Sequence, residues 1–162
     1  MTPDPLGPAD LRELSYGEHL VVWALRAFAA GRMDCPTLVR EFRSGCGDLA
    51  TEARNAFTVF AQQLAVRGRR AITLAAPGCL TLTRDEQVVC ALFADAQAGR
   101  ETRFAARLAF LLGRPAEAPF FAAATVTAQA LSLNGHRLSA FSTANGAPDA
   151  PPAAIEPVRA WA

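Results

Sequence analysis

Two helix starts constrain this chain more than any other feature. Ser15-Tyr16-Gly17-Glu18 opens one long apolar stretch, and Thr83-Arg84-Asp85-Glu86 opens another. Each places a hydroxyl three residues before a glutamate, the spacing of a capping box. The hydroxyl accepts a hydrogen bond from a first-turn backbone N–H that has no partner inside the helix. The glutamate accepts in return from the N–H of the cap residue. The chain is therefore expected to be mainly α. With 162 residues, 51% of them hydrophobic, it can bury the core of one domain.

Apolar residues at three- and four-residue steps extend this to a bundle of about six helices. The first runs from Tyr16 to Ala30, and its apolar residues cover most of its circumference, which places it in the middle of the bundle. The second spans Pro36 to Arg43, with Pro36 in the first turn, where its missing N–H costs nothing. Ser44-Gly45-Cys46-Gly47 reads as a break, and Asp48 as the cap of a third helix from Leu49 to Val66. Ala71-Ile72-Thr73-Leu74 and Leu80-Thr81-Leu82 alternate apolar residues with Thr about a Pro77-Gly78 turn, which predicts one small β-hairpin between the third and fourth helices. The fourth helix follows over Arg84–Ala98, the fifth over Glu101–Leu112, and the sixth over Glu117–Leu133. The expected organisation is a flexible lead-in over 1–13, one helical domain over 14–140, and a disordered Ala/Pro-rich tail over 141–162.

Charge narrows the classes of function. The 16 basic residues nearly balance the 15 acidic ones, which argues against a general polyanion binder but permits a local basic patch. Every basic residue is Arg; with the abundant Ala, this reads as the base composition of a GC-rich genome. The first residues lack the basic and apolar segments of a secretory signal. The apolar run Leu20–Leu25 is far short of the roughly 20 residues a membrane span needs. A cytoplasmic protein with no membrane partner is expected, and its four cysteines are then reduced.

No catalytic constellation emerges. The two histidines, His19 and His136, lie far apart in sequence, and no nucleophile motif or phosphate-binding glycine loop is present. Asp85-Glu86 is explained by capping and by the helix dipole. Cys35/Cys46 and Cys79/Cys90 lack the close pairing of a structural zinc site, so neither metal nor cofactor is implied. Cys79, after Pro-Gly, is the one candidate reactive thiol, set against the plainer reading of a packed turn residue.

Two binding readings remain. In the first, the Pro/Ala tail docks on a partner through Ile155, Val158 and Trp161, with the isolated Trp as anchor. In the second, helices 36–43 and 49–66 form a helix-turn-helix and 71–82 its wing. Thr51, Arg54, Asn55 and Thr58 would then face DNA bases, and Arg67, Arg69 and Arg70 would hold phosphates. Residues 40–70 carry six Arg against Glu41, Asp48 and Glu52. Glu52, however, sits on the face that would meet phosphates.

The stretches Gly17-Glu18-His19-Leu20-Val21-Val22-Trp23-Ala24-Leu25-Arg26 and Pro77-Gly78-Cys79-Leu80-Thr81-Leu82-Thr83-Arg84-Asp85-Glu86 resemble a family of small, uncharacterised proteobacterial helical proteins. The resemblance spans about residues 14 to 112. That family has no assigned activity, so it implies no substrate or cofactor and only directs attention to Cys79–Glu86. The expected function is that of a non-enzymatic intracellular protein acting through protein–protein contacts in a regulatory role. A winged-helix DNA-binding regulator is the alternative.

Overall fold

The structure, a computed structural model, describes residues 8–115 and 119–138. It is mainly helical: α1 (Tyr16–Ala29), α2 (Pro36–Cys46), α3 (Ala50–Arg67), α4 (Arg84–Ala98), α5 (Glu101–Leu112) and α6 (Pro119–Leu133). Both capping boxes form. Ser15 and Glu18 close one at the start of α1, and Thr83 and Glu86 close the other at the start of α4.

α4, not α1, is the central helix. Asp85 to Ala96 are all buried, although the set includes Asp85, Glu86, Gln87 and Asp95. Those polar residues hid its position from a hydrophobicity pattern; each is paired inside the fold. α3 and α6 run antiparallel beside α4. Thr127 Oγ1 donates to the Ala53 carbonyl at 2.9 Å, while the Phe60 and Phe120 rings meet edge-on at 5.7 Å. Phe57 stacks on Phe93 at 5.4 Å, and Phe60 meets Phe93 at 4.9 Å, so aromatic contacts join α3 to α4 at the core.

The break expected over Ser44–Gly47 comes later. α2 continues through Cys46, and a 3-10 turn over Gly47–Leu49 leads into α3. Gly45 lies inside α2 because it packs there: a Cβ would stand 3.0 Å from Tyr16 Cε2 and 3.1 Å from Leu20 Cδ2. Gly47 supplies the turn with φ of 59°. Asp48 caps nothing; Leu49 holds the N-cap position of α3 without a side-chain hydrogen bond.

The hairpin does not form, and among the described residues there is no β-strand. A single antiparallel bridge joins Asp10 to Thr81. Residues 68–83 instead run as a strap across the start of α4, anchored by the buried Ile72 and Leu82. The backbone donors that a ladder would use go to carboxylates: Thr73 N–H to Asp85 at 2.8 Å and Ala75 N–H to Glu86 at 3.1 Å. Apolar/Thr alternation is thus produced by a strap with one face on the core. Residues 8–13 lie along this strap. Leu11 is buried and its N–H donates to Leu80 O at 2.8 Å, while Leu82 N–H donates to Ala9 O at 2.7 Å. The expected tail and the start of the sixth helix at Glu117 lie outside the described residues.

Candidate functional site

α1 buries Leu20, Val21, Ala24 and Leu25 and turns Tyr16, His19 and Trp23 outward. These three recur at three- and four-residue steps, so they form one stripe along the helix. Two hollows flank it, and both are lined by His19 and Trp23. The first, about 370 Å³, is lined also by Leu14, Tyr16 and Leu20 of the α1 side and by Glu41 of α2. Tyr16 donates its hydroxyl to Glu41 Oε1 at 2.6 Å; burial, then this carboxylate, raise the pKa of the phenol. The second hollow, about 680 Å³, lies between α1 and the strap, with Leu11, Val22, Ala27, Ala30, Pro77 and Leu80 as its apolar lining. Arg26, Arg32 and Cys35 complete it, and it contains no carboxylate. The two hollows share His19 and Trp23 in their linings, and together they form a mostly apolar α1 groove.

Arg26 fixes the far wall. Its guanidinium meets Glu86 in a fork, Nε to Oε2 at 2.7 Å and Nη2 to Oε1 at 3.0 Å. It also donates to Cys79 O at 2.8 Å and Thr81 O at 3.2 Å, in the strap. Glu86 further accepts from Thr83 N–H at 2.9 Å, besides the strap's Ala75. The pair is buried, and every bonding site named is taken, so it acts as a pin between α1, α4 and the strap. Sequence reasoning assigned Glu86 to capping alone. The signal for more was Arg26, a lone charge in an otherwise apolar run.

The other buried charges are similarly engaged. Asp85 accepts from Arg70 Nη2 at 2.6 Å and from Thr73 N–H. Asp95 accepts from Arg100 at 3.2 Å and Arg107 at 3.0 Å, yet burial holds its carboxyl above the usual pKa despite both guanidiniums.

The residues expected to face DNA do not assemble into a basic stripe. Thr51 and Asn55 are exposed on α3, but Arg54 turns aside to Asp34 at 3.3 Å and the Met33 carbonyl at 3.2 Å. Thr58 bonds back to Arg54 O at 2.8 Å. Arg67 donates to Gln63 at 2.6 Å. Arg69 is exposed, while Arg70 is held by Asp85, Ala71 O and Phe110 O and lies 4.7 Å over the Phe110 ring. The outward face of α3 instead carries Glu52, Asn55, Val59, Gln62 and Val66, and the wing is the strap.

Cys79 is exposed at the Pro-Gly turn, with its thiol 3.7 Å from Thr81 O, and its neighbours Gly78 and Leu80 line the larger hollow. Cys46 and Cys90 are buried, which pushes Cys46 up to about 11 and raises Cys90 as well. Cys35, which the sequence offers as a cap of the second helix alongside Asp34, sits at the groove's edge in the N-cap position of α2. It closes no cap hydrogen bond, yet the Leu38 and Thr37 N–H groups draw its pKa below the ordinary thiol value. Ile155, Val158 and Trp161 lie outside the described residues. Among the described residues no group of three or more His, Cys, Asp or Glu is placed to hold a metal ion, and no helix is long and apolar enough to cross a membrane. Compared with protein-family models, characterised proteins and solved structures, the chain finds no match.

Proposed function

We propose that this chain is a non-enzymatic interaction module whose α1 groove receives a short extended segment of a partner protein, in a regulatory role. The observation that carries this is the aromatic stripe Tyr16–His19–Trp23 with an apolar hollow on either side. Aromatic-lined grooves suit extended, Pro-containing segments, whose side chains project at regular intervals and whose ordering cost is low. The lining favours aliphatic or aromatic anchors, and a carboxylate on the segment would meet the exposed Arg32 at the rim. Buried ionisable groups near the groove are consumed by one another, which leaves binding rather than turnover as its use.

A peptide-display selection on the full chain tests this. It is expected to enrich segments with apolar side chains two or three residues apart. Ala30→Arg, at an exposed position of the lining, should remove that enrichment. Absence of enrichment, or enrichment indifferent to Ala30→Arg, refutes the proposal. DNA binding has weaker support, since Arg54 and Arg70 are engaged in ion pairs. Salt-sensitive anisotropy with random duplex, weakened by Arg54→Ala with Arg70→Ala, would reverse that ranking.

A further inference from the structure

We infer that the groove is occupied in cis by the chain's own segment Ile155–Trp161, so that a partner must displace it. This rests on the groove being a peptide site, as proposed above.

The point of departure comes first. The last described residues lie against the first turn of α1: Ser15 Oγ donates to Arg137 O at 3.2 Å, and the His136 ring is 4.9 Å from Tyr16. A Cβ on Gly17 would stand 2.8 Å from Leu138 Cδ2. Leu138, the last described residue, therefore lies beside the first turn of α1, at one end of the stripe. The linker 139–154 extends to at most roughly 55 Å. The stripe from Tyr16 to Ala27 is only roughly 16 Å long at the helical rise.

The pattern of the segment comes second. Ile155, Val158 and Trp161 recur every third residue, with Pro157 between them. A polyproline II helix repeats every three residues, so these three would form one row, roughly 19 Å from end to end. That length matches the stripe. The next row would hold Glu156 and Arg159. Arg32 lines the groove towards Ala30, and Glu41 lines it towards Tyr16. Only one direction pairs the charges: Ile155 towards Ala30, with Glu156 near Arg32, and Trp161 towards Tyr16, with Arg159 near Glu41. A tether of this kind supplies an effective concentration of about 1 mM, so a segment of merely about 100 µM intrinsic affinity is docked in roughly nine molecules of ten.

The test uses the full chain. It contains two tryptophans, so Trp161→Phe leaves Trp23 as the only reporter. Ile155→Asp with Val158→Asp in that background should raise the acrylamide quenching constant of Trp23 by about two-fold or more, as expected when most molecules lose a docked cover. Circular dichroism of the two proteins should coincide, because the substitutions fall outside the six described helices. Unchanged quenching overturns docking in cis. Protection that grows with protein concentration also overturns it, in favour of a second copy as occupant. A synthetic peptide covering 151–162, with Phe at 161, separates the two readings when added to the undocked variant. If tail substitutions leave Trp23 unaffected but a display-selected peptide protects it, docking in cis fails and the groove reading stands. If neither affects Trp23, both fail.

Discussion

Removing the guanidinium of Arg26 should destabilise the domain severely, and the structure shows why. Arg26→Met keeps the length of the side chain and deletes four hydrogen bonds, two to Glu86 and one each to Cys79 O and Thr81 O. Glu86 is 0% exposed, so its carboxylate is left in the interior with backbone donors but no counter-charge. Breaking a buried pair from one side costs about 3–5 kcal/mol, a large part of the roughly 5–15 kcal/mol that holds such a domain folded. Glu86→Gln fails from the other side, facing an amide donor towards a guanidinium and weakening the cap on α4. The double variant Arg26→Met/Glu86→Gln carries neither orphaned charge, so its loss should fall short of the sum of the singles by about 1–3 kcal/mol. Urea unfolding followed by far-UV circular dichroism measures all four corners of the cycle. If either single substitution costs less than about 1 kcal/mol, the magnitude of an exposed pair, the reasoning is wrong. Strict additivity would refute it equally.

Two further outcomes follow from the titrating groups. The Asp10 carboxyl is held down to about 2 by hydrogen bonds from Arg12, so its NMR titration should lie below the ordinary 3.8 and return towards it in Arg12→Ala. Because the folded value is the lower one, this contact contributes above 3.8 and is lost as pH falls through about 2. Iodoacetamide on the native protein should label Cys79, which is exposed, and Cys35, whose pKa is lowered, while sparing the buried Cys46 and Cys90; intact-mass and peptide mapping read the order, and early labelling of Cys90 would contradict the fold.

Local chemistry was legible in the sequence, and distant partnerships were not. Ser15/Glu18 and Thr83/Glu86 specify their helix starts from four consecutive residues, and both capping boxes form. The glycines that end α4 and α5, Gly99 and Gly113, take left-handed φ values of 74° and 68°, as a stop signal requires. Gly45 was misread because a glycine inside a helix and a glycine that breaks one look alike until the neighbours Tyr16 and Leu20 are known. The strap was misread because alternation reports one buried face, not a partner strand; the groups that took its N–H donors, Asp85 and Glu86, already had an explanation as first-turn acids. Trp23, half-buried against the core, reads in the sequence only as one more apolar residue of a helix that is apolar nearly all round. Only the packing of α1 against the strap shows it standing between two hollows.

Glu86 closes the capping box of α4 and, with the same two oxygens, grips Arg26 and the strap. The border of the groove and the first turn of the central helix therefore share one latch. Prising that border open would mean unwinding a piece of the domain's backbone as well, so visitors meet a shape set beforehand, with little latitude to mould around them.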